Sequence, residues 1–265
     1  MRIICPIKQV PETSSVKMDE ATGTMIREGV EAIVNPLDLY AVEAALRLRE
    51  QVGGEVVAIS MGPPAAATAL KEVVAMGCDS AVLLSNRAFA GSDTWATGRA
   101  LSAAIAKMGA FDLIVCGERA TDGDTGQVGP GIASFLDLPV VTYVGGIDEV
   151  EGNRLRVRRL VEGGHEVLDV TMPAVLTVVK EIGESRLPTL RGKRRARTLE
   201  IPVLGPDEIG APREELGLGG SPTRVVKIFR PKVARECRKL VARDEAAIET
   251  AVNELVEFLK KKELL

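Results

Sequence analysis

Phe111-Asp112-Leu113-Ile114-Val115 runs directly into Cys116-Gly117-Glu118-Arg119-Ala120-Thr121-Asp122-Gly123-Asp124-Thr125-Gly126-Gln127-Val128-Gly129-Pro130, and then into Ile132-Ala133-Ser134-Phe135-Leu136. The first segment is a short apolar run that reads as a buried strand, and the last reads as the apolar part of a helix. A Gly/Thr-rich turn between them offers free backbone N–H groups at the positive end of a helix dipole, which suits a phosphate or a diphosphate. The plain alternative is an ordinary strand-to-helix loop with glycines for tight turning. Such loops are weakly specific alone, so the rest of the chain decides.

Upstream, the same strand–loop–helix unit recurs. Residues 2–8 read as a β-branched strand, followed by a polar, loop-like excursion from Pro11 to Gly29. Asn35-Pro36-Leu37-Asp38 is a helix start, with Asn as N-cap, Pro at the first helical position and an acid in the first turn. Ala41, Ala45, Leu48 and Val52 then recur on one helical face, and Gly53-Gly54 ends it. Glu55 to Ser60 reads as a strand and Met61-Gly62-Pro63-Pro64 as a second strand-to-helix loop. A helix from about Ala65 to Gly77, a strand from Ala81 to Leu84, a loop from Asn86 to Asp93 and a helix from Thr94 to about Gly109 complete the alternation. Strands alternating with helices through short loops imply right-handed crossovers and a doubly wound parallel sheet, an α/β core. Ligands of such sheets sit at the carboxyl ends of the strands. The loops at Lys8–Val10, Met61–Pro63 and Glu118–Gly129 are therefore expected to line one crevice, with Asn86 to Thr97 a further loop close to it.

After Leu138-Pro139 the pattern changes. Val140 to Val144, Arg154 to Val161 and Glu166 to Val170 are extended runs separated by Gly-Asn and Gly-Gly turns, which signals antiparallel hairpins. Ala174 to Val179 reads as a strand returning to the sheet. Arg191 to Arg197 is basic and reads as a solvated surface, with docking of an acidic protein second. Residues 202–222 are Gly/Pro-rich. A last helix starts near Asp244 and carries Ile248, Val252, Leu255 and Leu259 on one stripe. The expected organisation is an α/β domain over 1–190 and a C-terminal arm over 191–265, whose amphipathic helix covers its apolar face on a partner or on the main domain.

Composition narrows the function. A net charge of −3 argues against nucleic acid as partner, and 3% aromatics leaves little for base stacking. No run reaches the length of a membrane helix, and the first residues are too short an apolar run for a signal peptide. Cys5, Cys78, Cys116 and Cys237 lack metal-ligand spacing and read as free thiols of a reducing cytoplasm. The single histidine, His165, falls in a predicted hairpin turn and reads as a surface residue. Nucleophile-elbow, Walker-lysine and Gly-x-Gly-x-x-Gly motifs are all missing, so no residue is assigned as catalytic. Asp122 and Asp124 make sense in an anion loop if they cap the next helix or accept from ribose hydroxyls; two carboxylates alone make a poor metal site.

Taken together, these residues resemble the small (beta) subunit of electron transfer flavoproteins, the FixA type, nearly end to end. The resemblance rests on Ile7-Lys8-Gln9-Val10-Pro11, Asn35-Pro36, Met61-Gly62-Pro63-Pro64, Ala75-Met76-Gly77, Ala120-Thr121-Asp122-Gly123-Asp124 with Gln127, and Val157-Arg158-Arg159 through Glu162-Gly163-Gly164 to Met172-Pro173-Ala174. It implies an adenine-nucleotide-binding, HUP-like fold and a heterodimer with an alpha subunit that carries FAD. It also implies AMP, or a larger nucleotide, in the beta-subunit crevice. By position that site would comprise Pro6, Lys8, Asn35, Asp38, Met61, Gly117, Ala120, Thr121, Asp122, Gly123, Asp124, Thr125, Gly126, Gln127 and Val128. Pro11-Glu12-Thr13, Asp19, Gly23, Arg27, Gly29, Asn86 to Thr97 and Gly217 to Thr223 resemble the electron-bifurcating branch, where a second FAD replaces AMP and accepts hydride from NADH. Leu190 stands where the family anchors on acyl-CoA dehydrogenases; Gly183-Glu184-Ser185-Arg186-Leu187 departs from the usual pattern there, which leaves the partner, dehydrogenase-like or quinone-reducing, undefined. A non-redox nucleotide-sensing module and an ATP-pyrophosphatase-like adenylating enzyme are the readings from other classes.

Overall fold

The computed structural model describes residues 1–12, 17–18, 25–26, 32–226 and 239–265, with backbone only at 17–18 and 25–26. The expectations for Thr13, Asp19, Gly23, Arg27, Gly29 and Cys237 lie outside the described residues. In chain order the elements are β1 (Arg2–Pro6), β2 (Gln9–Pro11), β3 (Lys17–Met18), β4 (Met25–Ile26), β5 (Ala32–Val34), α1 (Pro36–Val52), β6 (Glu55–Met61), α2 (Ala67–Met76), β7 (Ser80–Leu84), α3 (Thr94–Lys107) and β8 (Leu113–Gly117). There follow α4 (Val128–Leu136), β9 (Val140–Glu151), β10 (Arg154–Val161), β11 (Gly164–Thr171), β12 (Ala174–Val178), α5 (Leu190–Thr198), β13 (Val203–Leu204), α6 (Pro206–Ile209), α7 (Gly217–Gly220) and α8 (Glu245–Lys261).

One sheet of order β11-β10-β9-β12-β8-β1-β6-β7-β13 organises the first compact unit, Met1–Lys227. From β9 to β13 its neighbours pair in parallel, while β10 and β11 add antiparallel strands at one edge. The parallel strands read as continuous apolar runs because both faces are covered. On one face α1 and α2 bury Ala41, Ala45, Leu46, Leu70 and Val73 against Ile3, Val56 and Leu113. On the other, α3 and α4 bury Ala100, Ile105 and Ile132 against Ile4, Ile59 and Ile114. The fold is the expected doubly wound α/β sheet with a hairpin insertion.

Several boundaries differ from expectation. β8 begins at Leu113, two residues after Phe111, because Asp112 accepts a hydrogen bond from Arg2 N–H before the ladder starts. β9 continues past Val144 to Glu151: its first half pairs with β12 and its second half with β10. Tyr143, at φ 58, makes the bend between the two. His165 lies in β11 opposite Leu160 and is exposed, so the surface reading holds although the turn itself precedes it.

The basic run is not a wholly solvated surface. Arg191 to Arg197 belongs to α5, which packs on α2. Gly192 lets its backbone meet Ala75, Ala196 is buried, and Arg195 donates to the carbonyls of Val74 and Cys78. Residues 191–226, expected in the C-terminal arm, thus fall within the first unit, since α5 and β13 both find partners there. The second unit, Ile228–Leu265, contains α8, N-capped by Asp244 through Ala247 N–H. Ile248, Val252, Leu255 and Phe258 are about half exposed along it. Among the described residues no helix is long and apolar enough to cross a membrane.

Candidate nucleotide-binding cavity

The carboxyl ends of β1, β6, β7 and β8 open into a cavity of about 920 Å³. Two close approaches at glycines shape it. A Cβ at Gly117, the last residue of β8, would overlap Asp38 Oδ1 and come within 2.8 Å of the Leu37 carbonyl. Only glycine lets the start of α1 touch the end of β8. At Gly129 a Cβ would sit 2.5 Å from Thr177 Cγ2, so glycine also seats α4 on β12.

Asn35 is fully buried and precedes α1, but its side chain does not cap that helix as expected. Nδ2 donates to Arg119 O at 2.9 Å and Oδ1 accepts from Thr121 N–H at 3.2 Å. A buried amide must satisfy both ends, and here both ends are used to hold the loop after β8. Asp38 is nearly buried and accepts from Lys8 N–H at 2.7 Å. Burial pushes its carboxyl up to about 7, against the opposing pull of hydrogen bonds from Lys8, Asn35 and Gly117.

Asp122 and Asp124 do not cap α4 either; its N-cap is Gln127, without a side-chain bond. Asp122 pairs with Lys8 Nζ at 2.6 Å and Asp124 with Arg119 Nε at 3.0 Å. The two carboxylates brace the loop by neutralising two cavity-facing cations. Arg87, the third cation on the wall, has no carboxylate partner among the described residues. The N–H groups of Thr125, Gly126 and Gln127 donate to no acceptor among the described residues, although all three residues face the cavity at the start of α4. Left-handed backbone at Asp124 (φ 54) and Gly126 (φ 63) turns this run toward the opening. Consecutive unpaired N–H groups at a helix start form an anion cradle.

Of the residues expected from sequence, Pro6, Lys8, Asp38, Met61, Gly117, Ala120, Gly123, Thr125, Gly126, Gln127 and Val128 line the cavity. Asn35, Thr121, Asp122 and Asp124 stand behind it as the braces just described. A second wall comes from Ser85 to Thr94, with Thr97 and Leu101 of α3. That loop was expected near the crevice, but Arg87, Phe89 and Thr97 were not assigned. The signal for them was their place after β7, at the same sheet end as the other loops. Asn86 accepts from Ala88 N–H, and Thr94 Oγ1 meets Gln127 Oε1 at 2.7 Å across the mouth. Cys5, Cys78 and Cys116 are buried free thiols, raised by burial; Cys116 faces the cavity. Leu190, the expected partner anchor, opens α5 and is 87% exposed.

Comparison with known proteins gives a consistent result. The electron transfer flavoprotein domain matches residues 22–208. The chain is 47% identical over 266 residues to an electron transfer flavoprotein subunit beta of Thermoanaerobacterium thermosaccharolyticum, covering all of both chains. It is 45% identical over 270 residues to the Caffeyl-CoA reductase-Etf complex subunit CarD of Acetobacterium woodii, again covering both completely. Protein FixA of Azorhizobium caulinodans is 40% identical over 269 residues, 99% of this chain and 95% of the relative.

Proposed function

The chain belongs to the electron transfer flavoprotein family as a beta subunit of the FixA type, and from that premise we propose that its cavity holds FAD and that its heterodimer bifurcates electrons taken from NADH. Beta subunits of this family serve electron transfer paired with an alpha subunit. The observation that carries the finer reading is the two-walled cavity. One wall is the cradle of unpaired N–H groups at Thr125, Gly126 and Gln127; the other is the Ser85–Thr94 wall with unpaired Arg87. At about 920 Å³ the space lies near the top of the roughly 300–1,000 Å³ typical of ligand sites. That is more than a mononucleotide on the cradle requires.

The residues present fit such a group: amide donors for a diphosphate, and a partly apolar wall of Met61, Phe89 and Leu101 for a ring system. Bound FAD would supply hydride acceptance and release of single electrons, while the protein binds and orients it. Lys8 and Arg119, held by Asp122 and Asp124, set the field around the cradle. Leu187 and Leu190, both over four-fifths exposed, are the docking point for a dehydrogenase-like or quinone-reducing partner. The apolar stripe of α8 is the surface that the alpha subunit covers, and the compartment is the cytoplasm. Extraction of nucleotides from the native heterodimer tests the reading. FAD beyond the alpha subunit's own, without AMP, is expected; one AMP for each FAD would leave an ordinary electron carrier with structural AMP.

A further inference from the structure

Residues 86–92 form much of the second cavity wall, yet most of their hydrogen bonds are local. Ala88 N–H donates to Asn86 Oδ1, Ala90 N–H to Arg87 O, and Ser92 Oγ to Phe89 O. Among the described residues, every hydrogen bond that 86–92 make outside their own segment goes to one place, the strap Glu215–Thr223. Leu218 N–H donates to Ala90 O at 3.0 Å, and Ser221 Oγ lies 3.4 Å from Gly91 O. At the wall's end Asp93 is the latch: its Oδ2 accepts from Thr223 N–H at 3.0 Å and from Thr223 Oγ1 at 2.7 Å. Asp93 N–H donates to Ser221 Oγ at 2.9 Å, and its Oδ1 caps α3 through Ala96 N–H at 3.0 Å.

The strap is pressed onto the wall closely enough to demand glycine. Gly217 has φ +59, and a Cβ there would overlap Ala88 O. Upstream, Glu215 Oε2 meets Arg99 Nε at 2.5 Å, which ties the strap to α3. No residue of the strap lines the cavity. The phosphate cradle has its own braces, Asn35, Lys8 and Arg119, and meets the strapped side through Thr94 Oγ1, which donates to Gln127 Oε1 at 2.7 Å.

We propose that the Glu215–Thr223 strap, latched on Asp93, decides how long a ligand the cavity accepts, by holding the Asn86–Ser92 wall against the part of a dinucleotide that extends beyond its phosphates. The inference rests on the nucleotide reading above. A ligand that uses the cradle alone is indifferent to the strap, and one that spans both walls depends on it. Asp93, Ser221 and Thr223 are positioning residues for that second wall, which sets selectivity for dinucleotide over mononucleotide.

The double variant Ser221→Ala/Thr223→Val tests this, because it removes the latch's two side-chain bonds to Asp93, from Thr223 Oγ1 and to Ser221 Oγ, and leaves the Thr223 N–H bond, Asp93 and its cap on α3 in place. Heterodimer with the alpha-subunit flavin bound and the beta cavity stripped is titrated calorimetrically with FAD and, separately, with AMP. FAD affinity should fall about tenfold or more, the equivalent of one net hydrogen bond, while AMP affinity stays within about twofold. Glu215→Gln, which loosens the strap through a different contact, is the second variant and should shift the same ratio. Equal losses for both ligands, or unchanged FAD affinity in a folded variant, would overturn the inference alone. A wild-type cavity that takes AMP and refuses FAD would overturn the proposed function and the strap's role with it.

Discussion

Replacing Arg186 with Met should destabilise the protein through a carboxylate on the opposite side of the contact. Arg186 grips Glu43 of α1 by three bonds: N–H to Oε2 at 3.0 Å, Nε to Oε2 at 2.8 Å and an η-nitrogen to Oε1 at 3.1 Å. The Glu43 side chain is only 5% exposed, so the substitution leaves a buried charge with Arg47 Nε, at 2.7 Å, as its remaining cation. Orphaning a buried ion costs about 3–5 kcal/mol; the surviving Arg47 contact lowers this to about 2–3 kcal/mol. The second partner, Glu50, is half exposed and adds little. For a chain of this size the expected fall in Tm is roughly 5–10 °C.

The pH dependence supplies a second check. Burial raises Glu43, but the hydrogen bonds from Arg186 and Arg47 outweigh it and hold the carboxyl below its ordinary 4.5. A depressed folded value means the stabilisation is complete above the unfolded value and is lost as pH falls through the folded one. Thermal scans of wild type and variant should therefore show a gap at neutral pH that closes in acid. The loop that holds Arg186 leads directly into Leu190 at the start of α5, so partner-linked electron transfer should slow as well. An unchanged midpoint at neutral pH, or a gap that persists into acid, would refute the reasoning.

Gly123→Val should empty the cavity without weakening the fold, because a Cβ there meets nothing within 4 Å and only ligand space is lost; unchanged bound nucleotide, measured after denaturation, would argue against the cradle. Affinity for FAD, whose diphosphate does not titrate near neutrality, should weaken as pH rises through about 7 and Asp38 gains its charge. Asp38→Asn should flatten that profile. The sign for stability is the same, since a folded value raised above 3.8 makes the contribution of Asp38 decline as pH climbs from 3.8 to about 7. Leu190→Ala should slow electron delivery to the partner by about 2 kcal/mol of lost interface energy with thermal stability intact, because the side chain touches mostly solvent; a lowered Tm with unchanged kinetics would make it a packing residue.

The alternation of strand and helix was legible because parallel strands buried on both faces leave continuous apolar runs, as at Glu55–Met61 and Leu113–Gly117. Gly53-Gly54, Gly152-Asn153 and Gly163-Gly164 marked ends and turns by their backbone needs. What local patterns could not convey was where polar side chains spend their hydrogen bonds. Asn35 reads as a cap, yet its amide is taken by Arg119 and Thr121 more than eighty residues away. Asp122 and Asp124 read as caps or as acceptors for ribose hydroxyls; neither caps α4, and they pair with Lys8 and Arg119. The basic run at Arg191 reads as solvated because helical packing of Gly192 and Ala196 on α2 depends on a partner element distant in sequence. The second wall was expected near the crevice, but its support was invisible for the same reason: it arrives from residues 215–223.

The long reach of these braces has a consequence for how the protein is made. Lys8 meets Asp122 across 114 residues and Asp93 meets Thr223 across 130. Contacts so distant in sequence form late, because loop closure must precede them. A chain emerging N-terminus first can complete the cradle once β12, on which α4 is seated, is out, while the second wall gains its support only after Thr223. On the proposed nucleotide reading, binding is acquired in two stages during synthesis, and truncated chains should hold phosphate before they can hold a whole dinucleotide. Once the chain is complete, a ligand in this cavity would act as a thermodynamic lock on the strand ends and loops that line it, adding about 2.7 kcal/mol at a hundredfold excess over its Kd.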